Sequence, residues 1–503
     1  MNSKVNPSLH GFLDSAGVEA IPSSLPNFPM LFKPRKYQVH GLNLSLRYNR
    51  FGLFDDAGVG KSAVMQAYML LHVAWGNKVV CLMPPILLKQ FIQETHEVFL
   101  GSEDWLSHTV LNGSPAAREK LFKTWNANTT WPGVLLMTYE MFSKVHPTMK
   151  ESGYNVLITD EAQKLRGSTS KVHAVVHNYT EVEADTTLLL ATGTPIHHTP
   201  LDAYAMTRLI NRGVYKSLEG FKRLHCNITS FRISRRIRGR MRRVTVETIE
   251  GYKNLDTLHA RLYANARRIE KDKALNLEEP TIIPIDLEMA PAHKKLYNLL
   301  VDEKLLEVGD ERVITATQAS EMRQHLMHLA CDPSEYSDKP IKNNVFLQVE
   351  TLLDSIGGSN KVLLYAHHNR VIQALSELLK ERNPKTVYGR NTSVQNNKAV
   401  VAFKEDPECK ILISHPQSGG VGLNLQKVCQ YLIFVEPTSI QGDFKQTLAR
   451  VHRQGQKNAV VVYILRIVGT VYPKMVEVML DNSDLAREVN KDAASFRSFL
   501  SGS

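Results

Sequence analysis

The stretch FDDAGVGKS, residues 54–62, has the composition of a loop that binds phosphate. Lys61 would supply a cation to phosphate oxygens, and the hydroxyl of Ser62 could ligate Mg²⁺. The two glycines of the stretch would let backbone N–H groups approach the anion closely. A strict loop of this kind has glycine six residues before the lysine, and this chain has Asp55 there. Two interpretations stay open: a chance glycine-rich turn, or a subtype of the loop without that glycine.

Two adjacent carboxylates end another apolar stretch, VLITDEAQ (156–163). Asp160 could hold Mg²⁺ directly or through water, and Glu161 could orient and deprotonate a water molecule that attacks a phosphate. An isolated Asp-Glu pair is more often a surface turn. Here the pair follows a predicted buried strand, about 100 residues after the phosphate-binding stretch, so the catalytic interpretation is favoured.

A pair of arginines lies in QTLARVHRQGQ (446–456). Arg450 and Arg453 are spaced to share one face of a helix, and Gln446 lies one turn earlier. Arginines brought to a γ-phosphate from a facing domain stabilise the charge of the transition state. Without further context the same pattern describes a solvated basic helix, and both interpretations remain.

Two series of short apolar runs are separated by a long gap. Runs of this length fit buried parallel strands covered by helices on both faces. A strand is predicted over 50–54 and a helix over 61–75, on either side of the phosphate-binding stretch. The chain is therefore predicted to be α/β, with two domains that divide near 275–345. The runs cover 78–83, 133–138, 155–160 and 187–192, then 361–366, 409–414, 431–436 and 459–465.

The region between the two series has helical patterns, for example over 254–269 and 291–308. Inside it, FRISRRIRGRMRRVTVE (231–247) carries seven arginines between residues 232 and 243. Its alternation predicts two β-strands with a turn at Gly239. The competing interpretation is a helix with Ile233, Ile237, Met241 and Val244 on one face.

Composition indicates the kind of partner and compartment. The chain has 503 residues and a formal net charge of +11, which favours a polyanionic partner, although a solvated basic face is the alternative. The five cysteines lack metal-ligand spacing and suit a reducing compartment. The sequence shows neither an apolar stretch of membrane-spanning length nor a secretion signal, so a soluble intracellular protein is predicted.

Taken in order, these stretches resemble the superfamily 2 nucleic-acid motors of the Swi2/Snf2 branch. That branch carries the loop D-E-x-G-x-G-K-T, so Asp55 becomes a mark of the subtype. Six further stretches resemble motifs of the branch: KPRKYQVHGLNL (33–44) for adenine recognition, MPPILLKQFIQE (83–94) and MTYEMF (137–142) for DNA contact, LLLATGTPIHH (188–198) for motif III, SHPQSGGVGLNLQ (414–426) for motif V, and QTLARVHRQGQ for motif VI.

The resemblance covers roughly residues 30–470 and implies two RecA-like parallel-sheet lobes, with a largely helical insertion and linker region that carries a basic hairpin or loop. The implied parts are an N-terminal extension (1–29), an ATP-binding lobe 1 (30–204), a lobe 1 insertion (205–280) with the arginine-rich segment 231–247, a linker and helical start of lobe 2 (281–345), lobe 2 (346–475) and a C-terminal helical tail (476–503).

The resemblance also assigns roles to individual residues, with ATP and Mg²⁺ as cofactors. The implied catalytic residues are Lys61, Asp160, Glu161, Gln163, Arg450 and Arg453. Those implied to bind the nucleotide are Gln38, Asp55, Gly58, Gly60, Lys61, Ser62, Gly422 and Gln446, with Ser62 and Asp160 on the metal. Those implied to contact DNA are Pro84, Lys89, Thr138, Tyr139, Arg235, Arg236, Arg238, Arg240, Arg242, Arg243, His367 and Ser418.

The chain departs from the branch within the phosphate-binding stretch, where Asp56 and Ser62 replace glutamate and threonine, and at three further places. Gln163 stands where histidine is usual, and its amide can still couple the nucleotide site to motif III by hydrogen bonding. His198 replaces the usual asparagine after T-G-T-P, and EPTSIQ (436–441) lacks the common W-N-P. This spelling is closer to phage and bacterial members, which include branch-migration helicases. A phage-encoded chain would work in the cytoplasm or nucleoid of a bacterial host.

The implied function is an ATP-dependent motor that tracks on duplex, forked or branched DNA through phosphate contacts. It would remodel forks or junctions, by branch migration or unwinding, in replication, recombination or repair. We expect a monomeric motor without a reader domain or a membrane contact, and no protein partner can be inferred. The arginine-rich segment would drive strand separation ahead of the motor or only raise DNA affinity. The alternatives are a translocase that displaces proteins and a non-hydrolysing DNA-binding protein on a motor scaffold.

Overall fold

The computed structural model describes residues 7–127, 133–182, 186–196, 199–237, 240–275, 277–303, 305–308, 312–315, 319–416, 424–438 and 441–480. The chain divides into two compact units, with the boundary between Ala274 and Leu275. Five positions named in the sequence analysis lie outside the described residues: His198, Arg238, Gly239, Ser418 and Gly422. So do residues 481–503, which make up most of the predicted C-terminal tail.

The strands of the described residues fall into two parallel sheets and two hairpins. They are β1 (Arg50–Leu53), β2 (Val79–Leu82), β3 (Ser107–Val110), β4 (Gly133–Met137), β5 (Val156–Asp160), β6 (Thr187–Ala191), β7 (Cys226–Ile237), β8 (Arg240–Tyr252), β9 (Ala266–Arg267), β10 (Thr281–Leu287), β11 (Leu305–Val308), β12 (Arg312–Thr315), β13 (Val362–Tyr365), β14 (Lys385–Val387), β15 (Ile411–Ser414), β16 (Tyr431–Phe434) and β17 (Val461–Ile467).

Helices connect and cover these strands. They are α1 (Leu9–Ser15), α2 (Lys36–Arg47), α3 (Lys61–Ala74), α4 (Leu87–Val98), α5 (Pro115–Ala127), α6 (Tyr139–Glu151), α7 (Lys171–Val182), α8 (Asp202–Ile210), α9 (Leu218–His225), α10 (Leu255–Leu262), α11 (Lys271–Ala274), α12 (Pro291–Glu303), α13 (Ala319–Cys331), α14 (Asn344–Ile356), α15 (Asn369–Leu378), α16 (Ser393–Glu405), α17 (Gln441–Leu448) and α18 (Tyr472–Leu480). Short 3₁₀ helices cover Ser102–Asp104, Ala162–Leu165, Tyr263–Asn265, Ser334–Tyr336 and Lys380–Arg382.

The first unit is built on a parallel sheet in the order β3-β4-β2-β5-β6-β1-β9. Its central strands are buried on both faces, which is why they appear in the sequence as continuous apolar runs. Strand β5 pairs with β2 on one side and with β6 on the other, in a register that sets Asp160 opposite Ala191. Because parallel strands end at one edge, the segments after β1, β5 and β6 meet there.

The second unit contains a parallel sheet in the order β10-β17-β16-β13-β15-β14. Strands β13, β15 and β16 are buried almost throughout. The two sheets confirm the predicted α/β fold with two parallel-sheet lobes. All eight apolar runs are strands, each shifted from its predicted bounds by no more than two residues.

The arginine-rich segment is a hairpin in its described part. Strands β7 and β8 pair antiparallel from Cys226 opposite Tyr252 to Ile237 opposite Arg240. The hairpin interpretation is therefore confirmed against the helix, and its strands extend beyond the predicted segment at both ends.

Two predicted helices are wrong in their second halves. The helix predicted over 254–269 ends at Leu262, and the chain then forms β9, which pairs with β1. The helix predicted over 291–308 ends at Glu303, and β11 then pairs with β12. The partner of β9 is distant in sequence, whereas β11 pairs with the next strand of a hairpin; in both cases strand pairing overrides the local helical pattern.

Two strands that the predicted boundaries leave outside the main part of each lobe belong to the lobe sheets. Strand β9 falls in the predicted insertion but belongs to the first sheet, and β10 falls in the predicted linker but pairs with β17 in the second. Within the described residues, every helix is too short or too polar to cross a membrane.

Candidate nucleotide-binding site

The phosphate loop (residues 54–60) connects β1 to the start of α3 at Lys61. Gly58 and Gly60 have φ angles of 88° and 90°, in the left-handed region that glycine adopts without strain. Gly60 is the N-cap of α3, so the first N–H groups of that helix open onto the loop. A helix N-terminus behind a glycine-rich turn is an anion-binding arrangement.

Lys61 lies among oxygen atoms of its own loop. Its ammonium group donates to the carbonyl oxygens of Asp55 at 2.7 Å and Asp56 at 2.9 Å. Burial lowers the pKa of Lys61, and nearby carboxylates, first of all Glu161 and Asp160 among those outside the loop, oppose that shift. The structure therefore brings the lysine and the acid pair (Asp160 and Glu161) into one electrostatic environment.

Asp160 is the last residue of β5, and Glu161 follows it with an unusual backbone conformation. Glu161 has φ of 54°, a left-handed conformation that is uncommon outside glycine. The Oδ1 atom of Asp160 accepts from the Glu161 backbone N–H at 2.9 Å, which fixes the turn between the two residues. Burial and the neighbouring Glu161 raise the pKa of Asp160, and Lys61 opposes them.

Gln163 joins the acid pair to the TGTP loop, residues 192–195 after β6. Its amide nitrogen donates to Oε2 of Glu161 at 2.7 Å, and its amide oxygen accepts from the hydroxyl of Thr192 at 2.6 Å. The same hydroxyl accepts from the backbone N–H of Thr194 at 3.0 Å. The hydrogen-bonded link expected of Gln163 is thus present in the structure.

Gln38 fastens α2 to the phosphate loop. Its side chain is 2% exposed; Oε1 accepts from the Arg35 backbone N–H at 2.9 Å, and Nε2 donates to the carbonyl oxygen of Gly60 at 3.1 Å. The hydroxyl of Tyr37 donates to the Val59 carbonyl at 2.9 Å. In the structure, Gln38 therefore holds the backbone of the phosphate loop through Gly60.

The carboxylate of Asp55 pairs with an arginine. Its Oδ1 accepts from Nε of Arg267 at 3.2 Å and its Oδ2 accepts from Nη2 of the same guanidinium, while a part for Asp55 in nucleotide binding stays a prediction. The sequence analysis missed Arg267 and Arg268 as parts of the site. The signal that could have found them is electrostatic, because two adjacent aspartates in an anion-binding loop require compensating cations.

The oxygen donors at this edge suit Mg²⁺ held together with a phosphate. Ser62 is the second residue of α3, and Asp160 is the last residue of β5. Mg²⁺ takes few ligands from protein and the rest from phosphate and water. In the described part of the chain, no group of three or more histidine, cysteine or acidic residues could hold a metal by itself.

Comparison with known families tests the resemblance to the Swi2/Snf2 branch. A family model described as SNF2-related domain matches residues 37–335, more than half of the chain. The chain belongs to the SNF2-related family. A second model, the helicase conserved C-terminal domain, matches residues 345–455. The predicted Swi2/Snf2 membership is confirmed, while a phage or bacterial origin stays a prediction.

Three proteins to which the chain is similar are distant from it in sequence. The chain is 24% identical to the mouse (Mus musculus) chromodomain-helicase-DNA-binding protein 1-like, over 86% of this chain and 47% of that protein. It is 21% identical to an uncharacterized ATP-dependent helicase of Mycoplasma genitalium, over 93% and 43%. The SWI2/SNF2 ATPase core of Sulfolobus solfataricus in complex with double-stranded DNA aligns over 93% of this chain and 97% of that one, at 18% identity and a TM-score of 0.40. The chain spans less than half the length of the two curated relatives.

The first-unit residues assigned to DNA by resemblance to the SNF2-related family are not equally accessible. Lys89 is exposed on α4, and Thr138 is half-buried and caps α6 by accepting from the Met141 backbone N–H at 3.1 Å. Pro84 and Tyr139 lie in the interior, and the Tyr139 hydroxyl donates to the Asp160 carbonyl at 2.7 Å. Tyr139 therefore supports the acid pair in this structure, and the assignments of Tyr139 and Pro84 to DNA stay predictions.

The motif VI residues of the second unit are arranged differently from the prediction. Helix α17 ends at Leu448, so it includes Gln446, while Arg450 and Arg453 lie in the turns that follow and do not share a helix face. The Arg450 carbonyl accepts from the Leu425 N–H at 3.0 Å, and Arg453 donates to the side chain of Asn424. These turns pack on the segment that resembles motif V.

The remaining DNA candidates are described only in part. The backbone N–H of His367 donates to Oε2 of the fully buried Glu436 at 2.7 Å, and burial lowers the pKa of the His367 ring. For one group of hairpin arginines the structure describes the backbone and leaves the side chains undescribed: Arg235, Arg236, Arg240, Arg242 and Arg243.

Proposed function

We propose that the chain is an ATP-dependent DNA motor that tracks on duplex or branched DNA and remodels forks or junctions. The observation that carries the proposal is the chain of side-chain hydrogen bonds from Glu161 through Gln163 to Thr192, beside the phosphate loop. A carboxylate that only capped a turn would need no such link to a second loop. A motor needs one, because the state of the phosphate must be passed on to other segments.

In this proposal the residues of the first unit divide the work of hydrolysis. The N-terminus of α3 and the Lys61 ammonium bind the nucleotide phosphates. Asp160 and Ser62 hold Mg²⁺, which neutralises phosphate charge when it is bound. Glu161 orients the attacking water and accepts its proton. Gln163 transmits the position of Glu161 to the TGTP loop.

Arg450 and Arg453 are proposed to stabilise the γ-phosphate during hydrolysis, as the family resemblance implies. Their replacement by alanine should lower kcat far more than it weakens nucleotide binding, because such arginines act mainly on the transition state. An equal loss in kcat and in affinity would assign the two residues to ground-state binding.

The hairpin is proposed to contact the duplex or the fork ahead of the motor. Its register sets Arg235 directly opposite Arg242. Like charges opposite each other destabilise a strand pair, so an anion bound at this end would relieve the repulsion. A two-stranded hairpin is also marginally stable alone, which again favours a bound partner.

The test of the hairpin replaces Arg235, Arg236, Arg240 and Arg242 by alanine, with Lys253→Ala beyond its base as the control. If the hairpin separates strands, fork unwinding should fall more than DNA-stimulated ATPase. A fall by the same factor in both at every salt concentration would reduce the hairpin to a basic surface that raises affinity.

One experiment tests the proposed function as a whole. ATP hydrolysis by the full chain is measured with single-stranded DNA, linear duplex, fork, four-way junction and RNA, and with Lys61→Ala as the control. We expect stimulation by forked or branched DNA, strand separation on the same substrates, and no hydrolysis by Lys61→Ala. Displacement of a bound protein without strand separation would favour the translocase, and absence of stimulated hydrolysis would overturn the motor.

A further inference from the structure

Two aspartates lie in the phosphate loop, where their negative charge would repel a bound phosphate. Asp55 and Asp56 directly precede the glycine turn, and each is paired with one of two consecutive arginines. Asp55 pairs with Arg267, whose side chain is 10% exposed, and Asp56 pairs with Arg268, whose side chain is 9% exposed. Both guanidinium groups are thus largely withdrawn from water at the edge of the first sheet.

Arg267 holds Asp55 against α2. Its Nε and Nη2 atoms donate to the two oxygens of the Asp55 carboxylate, and Nη1 donates to the carbonyl oxygen of Tyr37 at 2.5 Å. A fork on a carboxylate with a third bond to a backbone oxygen is a geometry that lysine cannot reproduce. Arg267 therefore fixes the direction of the Asp55 side chain as well as its charge.

Arg268 connects the phosphate loop to the TGTP loop. Its Nη2 donates to Oδ1 of Asp56, while Nη1 donates to the carbonyl oxygens of Phe54 at 3.2 Å and Gly193 at 3.1 Å. The second oxygen of Asp56 accepts from the backbone N–H of Lys271 at 3.0 Å. One guanidinium thus contacts both loops that border the acid pair.

The backbones of the two segments are joined as well. The N–H of Phe54 donates to the Arg267 carbonyl at 2.9 Å, and the N–H of Asp56 donates to the Ile269 carbonyl at 3.0 Å. The start of the phosphate loop therefore lies alongside residues 267–269. The arginines are held in place by main-chain pairing, independently of their side-chain bonds.

Lys61 connects these pairs to the nucleotide. The carbonyl oxygens that accept from its ammonium group belong to Asp55 and Asp56, the residues whose carboxylates the arginines bind. A carboxylate that lost its arginine would attract the Lys61 ammonium and repel an incoming polyphosphate. The two forces would be strong, because the charges interact over short distances in a medium of low dielectric constant. Two cations that neutralise the aspartates remove both effects.

We propose that Arg267 and Arg268 are positioning residues that neutralise the two aspartates of the phosphate loop and so keep the Lys61 ammonium available to the nucleotide. The inference rests on the proposed function, since it requires that the loop bind ATP. The inference gives a physical reason for the aspartates of this loop subtype. The aspartates hold the loop to β9 and to the segment after it, and the arginines neutralise the negative charge of the aspartates.

The test uses charge removal and its compensation in the full chain. Binding of a fluorescent ATP analogue is measured without DNA for Arg268→Gln and for the double variant Asp56→Asn/Arg268→Gln. Arg268→Gln should weaken binding roughly tenfold or more, because an unpaired carboxylate is left beside the phosphates. The double variant should recover most of that loss, because it removes the stranded charge. The exposed pair Asp286–Arg466 supplies the control, and Arg466→Gln should bind like the unaltered chain.

Further readouts separate charge compensation from damage to the fold. Thermal unfolding of each variant shows whether it folds, and Arg268→Lys, which keeps the charge without the fork, should bind nucleotide more tightly than Arg268→Gln. The penalty of Arg268→Gln should shrink as salt concentration rises. The inference alone would be overturned if the unaltered chain binds the analogue and the single variant Arg268→Gln and the double variant Asp56→Asn/Arg268→Gln bind it equally well, whether both are impaired or neither is. An unaltered chain that binds no ATP would overturn the proposed function together with it.

Discussion

A Cβ atom added to Gly193 would lie 2.8 Å from the backbone nitrogen of Ala57. The phosphate loop and the TGTP loop therefore pass each other at backbone contact, and the carbonyl of Gly193 is also bound by Arg268. Side chains are excluded from this crossing. A displacement of one loop would therefore press on the other, which makes the crossing a sensitive place to test the site.

Gly193→Ala should push the two loops apart. We expect a loss of about 1–3 kcal/mol in the free energy of unfolding, typical of overpacking, and a lower kcat/KM for ATP. Unfolding transitions and steady-state hydrolysis measure the two effects. Gly358→Ala is the matched control, because a Cβ there meets no atom within 4 Å. Normal hydrolysis by Gly193→Ala would mean that the loops are not coupled.

Gln163→Leu should break the link between the acid pair and the TGTP loop while it keeps the side chain's volume. Glu161 and Thr192 would both lose a partner, and we expect DNA-stimulated kcat to fall about tenfold, as for loss of a hydrogen bond to a charged group. Gln163→His restores the usual family residue and should retain more activity. Equal activity of the leucine variant and the unaltered chain would contradict a coupling role.

The stability of the second unit should depend on pH through His368 and Glu436. Nδ1 of His368 lies 2.6 Å from Oε1 of Glu436. Burial alone would lower the pKa of His368, but the hydrogen bond and charge of Glu436 outweigh it, and the pKa is raised from 6.5. Burial alone would raise the pKa of Glu436, but the hydrogen bond and charge of His368 outweigh that effect, and the pKa is lowered from 4.5.

The signs of these shifts define a window. The contribution of His368 is complete below 6.5 and disappears as the pH rises through its raised pKa, while that of Glu436 is complete above 4.5 and disappears as the pH falls through its lowered pKa. The unfolding midpoint of His368→Asn should therefore differ most from that of the unaltered chain between pH 4.5 and 6.5. Glu436→Gln should remove the same dependence. A difference that does not vary with pH would exclude an ion pair.

Tyr139→Phe tests whether Tyr139 supports the acid pair or contacts DNA. Loss of its hydrogen bond to the Asp160 carbonyl should cost about 1 kcal/mol in the free energy of unfolding. DNA affinity should stay unchanged, because the ring is buried. Lys89→Ala is the comparison, and it should weaken DNA binding with little change in stability. Titration of a labelled duplex and thermal unfolding separate the two outcomes, and the reverse pattern would support Tyr139 as a DNA contact.

Much of the fold could be predicted because parallel strands buried on both faces leave an unambiguous trace. The eight apolar runs are strands, and the helix after the phosphate loop starts at Lys61 as expected. Strand β9 left no such trace, since it has two residues and one of them is Arg267. Its position depends on β1, which no local pattern encodes. The prediction there followed the helical periodicity and was wrong.

The site was predictable where chemistry and spacing are local. Lys61, the acid pair and Gln163 each follow a strand that the sequence identifies, and the sheet brings them to one edge. The partner of Asp55 was not predictable in this way, because Arg267 lies 212 residues further along the chain. Arg450 and Arg453 have helical spacing, but α17 ends two residues before the first of them. Spacing alone does not show where a helix ends.

That separation of 212 residues also sets an order of assembly. Ribosomes add about 5–20 residues per second, so about 10–40 s pass between synthesis of the phosphate loop and synthesis of its arginines. During that time the nascent chain carries Lys61 and both aspartates of the loop, without Arg267 and Arg268, which pair with the aspartates. The ion pairs of the phosphate loop can therefore form only after the final strand of the first sheet has emerged, which makes them a late product of translation.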